Sequence, residues 1–153
     1  MGGLLMVTPF KGIQAPNNDV VMGGEEPLEY LTAEGATIKP GHHVKKGSTD
    51  DLITPGDASG NSIGWAGYGK AGVFKPTDTT TAYAAGDLVP VHEKPGLPVK
   101  AWLASGETVV KGQPLKPAAN GELAAATVGT DDIIARAAED ASGNVQFMIK
   151  SMI

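Results

Sequence analysis

Three histidines, His42, His43 and His92, are the residues of this chain best suited to metal or proton chemistry. Adjacent residues on a strand project to opposite faces, so His42 and His43 are not expected to chelate one ion, and on a turn they would stand in water. Gly67-Tyr68-Gly69-Lys70-Ala71-Gly72 has the spacing G-x-G-x-x-G. Dinucleotide binding also needs a helix opening inside that motif, whereas Val73-Phe74-Lys75-Pro76 reads as an extended run stopped by proline. A bulged β connection is expected there. Asp-Ala-Ser-Gly-Asn occurs at 57–61 and again at 140–144, but neither copy has the alternating carboxylates and closing glutamate of a calcium loop, so both read as turns. None of Ser48, Ser59, Ser62, Ser105, Ser142 and Ser151 lies in a G-x-S-x-G elbow. No carboxylate has an apolar setting that would raise it for general acid work. The expectation is no catalytic residue, no metal site, no cofactor and no enzyme.

Composition narrows the classes further. A formal net charge of −5, with Arg136 the sole arginine and no basic run, argues against a nucleic-acid partner. Cysteine is absent, which removes disulfides, thiolate metal sites and cysteine nucleophiles. Leu4-Leu5-Met6-Val7 lacks a basic lead and the length of a signal peptide, and no run reaches membrane-spanning length. A soluble protein made in a cytoplasm, with no membrane partner, is expected.

The elements that would position these residues are short and β-like. Pro40-Gly41-His42-His43-Val44-Lys45-Lys46-Gly47 recurs as Ser105-Gly106-Glu107-Thr108-Val109-Val110-Lys111-Gly112, pairing Gly41 with Gly106, Val44 with Val109, Lys46 with Lys111 and Gly47 with Gly112. Each copy is followed by a short apolar run, Ile63-Gly64-Trp65-Ala66 or Ile134-Ala135-Arg136-Ala137. Turn glycines around single valines suit short strands with one buried face. The fold class is therefore mainly β, with small β-barrel or barrel-sandwich modules in two related copies. Asn120-Gly121 reads as a hairpin turn, 131–140 mainly as strand, and the alternation of Val145, Phe147 and Ile149 marks a closing strand. Residues 1–24, punctuated by glycine, proline and asparagine, read as an extended N-terminal arm. Residues 25–75 then form a first β module and 76–153 a second, or 25–153 form one compact domain.

The run Ala104-Ser105-Gly106-Glu107-Thr108-Val109-Val110-Lys111-Gly112-Gln113-Pro114-Leu115, with Asn120-Gly121-Glu122-Leu123 and Ile133-Ile134-Ala135-Arg136-Ala137-Ala138-Glu139-Asp140, resembles the head decoration, or capsid cement, proteins of tailed viruses. Ala-Ala-Gly-Asp-Leu-Val within 82–91 is similar to the opening strand of one cement-protein group. The resemblance covers 81–153, with 37–66 as a degenerate second copy. It implies a non-enzymatic bacteriophage protein on the capsid exterior of the virion, a homotrimer that binds the major capsid protein and is made in the host cytoplasm. It also implies that Leu4, Leu5, Val7, Phe10, Val20, Val21 and Met22 of the arm bind partners, joining neighbouring decoration subunits. The chain departs from the smallest members by the extra segment 25–75. The same G-x-x-V-x-K-G-x-x-L wording resembles biotinyl and lipoyl carrier domains, whose acceptor lysine would be Lys150, at the chain end rather than on a hairpin.

Overall fold

Short strands divided by glycine, proline and aspartate turns give little helix and many sheet edges, and closure into barrels removes those edges. The computed structural model of the chain describes residues 20–21, 27–69 and 76–153. Strands β1 (Glu29–Ala33), β2 (His43–Lys46), β3 (Leu52–Pro55), β4 (Gly64–Ala66) and β5 (Leu88–His92) form a closed barrel in the order β1-β3-β2-β4-β5. Strands β6 (Pro98–Trp102), β8 (Pro114–Pro117), β9 (Leu123–Ala125), β10 (Ala135–Ala137) and β12 (Gln146–Ser151) form a sheet in the order β6-β12-β10-β8-β9. A parallel bridge, Leu103 with Leu123, brings its last strand back to the first. A small ribbon of β7 (Thr108–Val109) and β11 (Ala141–Ser142) completes the second module.

The two modules repeat one another pair by pair. The parallel pair Ala33 and Ile53 corresponds to Leu103 and Leu123. Leu31 with Val89 corresponds to Ala101 with Phe147, Val44 with Pro55 to Leu115 with Ala125, and Trp65 with His92 to Arg136 with Lys150. Hydrogen bonds off the strands repeat too. Gly41 N donates to Ala66 O at 2.7 Å and Gly112 N to Ala137 O at 2.7 Å; Ile63 N donates to Val44 O and Ile134 N to Leu115 O.

These bonds correct the register of the sequence repeat. Gly41 corresponds to Gly112, not Gly106, and Val44 to Leu115, not Val109. Gly35, Gly41 and Gly47 are evenly spaced and Gly106 and Gly112 share the interval, so a slip by one interval preserves the glycine pattern. Burial does not tell the registers apart, since Val44, Val109 and Leu115 are all buried; the strand pairing and the main-chain bonds do.

The first barrel is filled by Leu31, Ala33, Ile38, Val44, Ile53, Ala66, Val89, Val91 and the fully buried Tyr83. The Tyr83 hydroxyl donates to Gly67 O at 2.6 Å and accepts from Gly69 N at 3.1 Å, and burial pushes it above the usual phenol range. The second core gathers Val99, Ala101, Leu103, Leu115, Leu123, Phe147 and Ile149, among others. Asn120 (φ 59°) and Gly121 (φ 74°) are both left-handed, as the tight turn between β8 and β9 requires. Within 131–140 the strand is confined to β10, and Val145 lies outside β12, 40% exposed.

Two boundaries differ from the sequence reading. Strand β5 closes the first barrel, so residues 76–92 belong with 27–69 and the junction falls between His92 and Pro98. The polar loop that suggested a boundary near 76 is internal to the first barrel. Val20 and Val21, read as arm, are 0% and 6% exposed within the second core. Val21 bridges Val99, and Lys100 N donates to Val20 O at 2.8 Å. Leu4, Leu5, Val7, Phe10 and Met22 lie outside the described residues.

The repeated turn makes the docking of its first copy testable. Gly41 and Gly112 have φ of 95° and 92°, but a Cβ on Gly41 would overlap the Lys100 carbonyl whereas one on Gly112 meets open space. Gly112→Ala is expected to cost about 1–2 kcal/mol from backbone strain alone. Gly41→Ala is expected to cost about 1–3 kcal/mol more from the added overlap. Urea denaturation of both variants checks this, and equal losses would contradict the close approach of the Gly41 turn to β6.

Candidate functional site

The buried polar side chains His42, His43 and Ser151 lie at the seam between the two barrels. The turn Lys39-Pro40-Gly41-His42 leads into β2 and lies across the outer face of β6. Trp102 Nε1 donates to Pro40 O at 3.0 Å, and the Lys39 ammonium sits 4.8 Å from the centre of the Trp102 ring. The His42 ring meets Trp102 edge-on at 6.3 Å. Gln146 Nε2 on β12 donates to Pro40 O and to Thr79 O, at 3.4 and 3.1 Å. In the other direction Trp65, on β4 of the first barrel, packs in the second core and donates from Nε1 to Ser151 Oγ at 2.9 Å. Each barrel thus takes in or lies against a tryptophan of the other, which spreads the burial of large rings in a chain with few aromatics.

His43 is fully enclosed at the middle of this seam. Its Nε2 faces the carbonyl oxygens of Glu122 (2.8 Å) and Ala118 (3.2 Å) on the β8–β9 turn, so this nitrogen carries the proton. Nδ1 then accepts from the Ser62 hydroxyl at 2.7 Å. Gly121 N donates to Gly56 O at 2.8 Å beside it. A hydroxyl bonded to an imidazole has the form of a nucleophile and its base. Here burial depresses the His43 pKa, only partly opposed by the two carbonyls, which makes the ring a weaker base. Its other nitrogen is committed to main-chain oxygens. The arrangement is suited to holding two barrels together.

His42 fills a different role. Its Nδ1 accepts from Lys39 N at 3.0 Å, closing the turn, and at the corresponding turn of the second barrel Gln113 Oε1 accepts from Val110 N at 3.1 Å. Both histidines are buried, contrary to the expectation that a turn would leave them in water. They do face different neighbours, Trp102 and Trp65. Among the described residues no three metal-ligating side chains gather in one place. A cleft of about 560 Å³ opens beside the seam, lined by residues including Lys39, His42, Asp57, Asn120 and Glu122. Its charged groups are already engaged. Asp57 pairs with Lys45, and that ammonium, followed by the Ser59 hydroxyl and amide, holds its carboxyl below the usual range. Glu122 Oε2 accepts from Asn144 at 2.9 Å.

The remaining sequence motifs do not join this seam as a unit. Gly67 N donates to Pro90 O at 2.8 Å, and the buried Tyr68 sends its hydroxyl to Thr77 O; residues 70–72 lie outside the described residues. The two Asp-Ala-Ser-Gly-Asn copies differ, since Asp57 accepts from Ser59 N whereas Asp140 accepts from Lys111 N. Lys150 is exposed in β12, paired with Pro98 and Arg136 on its two sides. Sequence reasoning missed Ser62, Trp65, Trp102 and Ser151. The one signal present was that an indole N–H needs a partner once the ring is buried.

The seam carries a proton linkage. Burial, then the neighbouring His43 and Lys39 charges, push the His42 pKa from 6.5 down to about 3. Below pH 6.5 the unfolded chain takes up a proton that the folded seam refuses, so stability falls with pH through this window, by up to about 1.4 kcal/mol per pH unit for one such group. His43 adds to the loss with the same sign. Carboxyls held low in the fold, Glu34, Asp57, Asp78 and Asp131, lose their contribution only as pH falls through the carboxylate range. Urea midpoints at about pH 7 and about pH 5 should therefore differ, and His42→Gln, which copies Gln113, should flatten the difference. An unchanged slope in that variant would remove His42 from the linkage.

No protein-family model matches this chain, and no curated protein sequence matches it.

Proposed function

We propose that this chain is a structural viral protein, a capsid decoration or cement protein that binds the outer surface of a tailed-virus head and reinforces the major capsid protein lattice. The observation that carries this reading is the seating of Val20–Val21. A segment from the N-terminal part of the chain adds to the open side of β6 through Val21 and Val99, with Lys100 N donating to Val20 O, and buries both valines. Strand addition at an edge supplies main-chain hydrogen bonds and apolar pockets together, a common way of tethering one body to another. Leu4, Leu5, Val7 and Phe10 precede this anchor in sequence and are the residues assigned to neighbouring subunits and the capsid. Behind the anchor stand two filled barrels whose seam histidines and indoles serve to join them. Such a body acts by binding many identical sites on a symmetric shell, where repeated weak contacts combine. The homotrimer and the capsid exterior belong to this proposal. A carrier role fits less well, since Lys150 lies within a paired strand.

Capsids of the source virus stripped of this protein test the reading by co-sedimentation. The full chain is expected to bind saturably and to raise the temperature at which the shells break. A chain starting at Val20 keeps the anchor and should stay folded, yet bind at least about tenfold more weakly. Equal binding would end the role of the preceding residues. Absence of binding by the full chain would end the capsid assignment.

A further inference from the structure

The pairwise repeat of the barrels shows a contact that is made once inside the chain and could be made once more outside it. Inside the chain, the turn Lys39-Pro40-Gly41-His42 of the first barrel docks on the outer face of β6 and β12, where the paired residues Trp102 and Gln146 both donate to Pro40 O. The second barrel carries the same turn, Val110-Lys111-Gly112-Gln113, with the same closing bonds. The first barrel carries the same receiving face on β1 and β5, where Thr32 pairs with Leu88 as Trp102 pairs with Gln146, and Tyr30 pairs with Pro90 as Lys100 pairs with Met148.

Both surfaces expose large apolar side chains. Val110 on the free turn is 58% exposed, and on or beside the free face Leu28, Tyr30 and Leu88 are 60%, 55% and 62% exposed. Among the described residues only Val128, Val145 and Met152 are other large apolar side chains so exposed, which places most of the exposed apolar side chains on these two surfaces. Lys39, which packs over Trp102 within the chain, is replaced on the free turn by Val110, and Trp102 and Gln146 are replaced on the free face by Thr32 and Leu88. Where the Lys39 cation meets an aromatic and an amide, Val110 would meet Leu88 and Thr32. Thr32 keeps a hydroxyl that can donate to the Lys111 carbonyl as Trp102 donates to Pro40. Exposed Lys111 and Glu29 bring opposite charges to the two sides.

We propose that the occupant of the β1–β5 face is a second copy of this chain, which docks its Val110–Gln113 turn there as the Lys39–His42 turn docks on β6 and β12. Each copy offers one turn and one face, so the contact is head to tail. Successive copies continue the relation between the barrels and form a closed ring where the rotation closes, or a filament where it does not. The contact does not rest on the capsid reading, and it assigns the surface through which copies associate before any capsid is present.

The chain has no cysteine, which makes cross-linking clean. Leu88→Cys and Lys111→Cys, both at exposed positions that correspond to Gln146 and Pro40, are purified separately, mixed and mildly oxidised. A disulfide-linked dimer from the mixture, with little from either variant alone, is the expected result. No dimer from the mixture, or equal yields from the single variants, overturns the contact. Val110→Asp provides a second reading by sedimentation velocity. It should keep the far-ultraviolet circular dichroism of the parent and weaken self-association at least about tenfold. A parent chain that stays monomeric at every concentration reached, or a variant that associates as strongly as the parent, also overturns it.

Discussion

His43 is the point on which the arrangement of the two barrels depends. It leaves β2 of the first barrel, takes the Ser62 hydroxyl on one nitrogen and gives its proton to Glu122 and Ala118 carbonyls of the second on the other. Glu122 O also accepts from Ala118 N at 2.8 Å, but Ala118 O depends on the ring, and a buried carbonyl without a partner costs about 1–3 kcal/mol. These bonds hold the ring in one place, and burial, which outweighs the pull of the two carbonyls, favours the neutral form with its proton on Nε2. That placement aligns β2 with the β8–β9 turn, sets the Lys39–His42 turn against Trp102, and brings Trp65 over Ser151.

Around that joint the chain builds the same closed strand pattern twice. A barrel made of strands as short as three residues has little area of its own to bury, and this chain offers few aromatic side chains to fill it. The seam compensates. Trp65 sits in the core of the neighbouring barrel, Trp102 lies beneath the neighbouring turn, and Val20–Val21 lines the second core from outside the strand order. Stability is thus spread over contacts between modules, and surfaces of the repeated unit that remain uncovered are the natural places for further copies or partners to add. Function on this account is a property of surfaces, with the buried polar groups devoted to rigidity.

Much of the β architecture was legible in the sequence because its signals are local. Asn120-Gly121 announces its turn through the left-handed backbone both residues tolerate, and Phe147 and Ile149 enter the core as expected, although Met148 between them is buried as well. The apolar runs at Ile63 and Ile134 correctly marked equivalent strands. What failed was non-local. Evenly spaced glycines allowed the repeat to slide by one interval, and only the strand pairing and main-chain bonds match Val44 to Leu115. The extent of the first module was misread because β5 lies beyond a polar loop and returns to β1, a closure that no nearby residue signals. His42 and His43 looked solvated because nothing near a Pro-Gly turn reveals that a second barrel will cover it.

The state of the His43 ring tests this account most directly. Nitrogen chemical shifts of selectively labelled histidine, followed from neutral to mildly acidic pH, report tautomer and protonation together. The account predicts a neutral ring with its proton on Nε2 that does not titrate while the protein remains folded. A His43 that titrates near the ordinary 6.5, or that carries its proton on Nδ1, would mean that the ring does not bridge Ser62 to the β8–β9 turn, and the joint between the barrels would have to lie elsewhere.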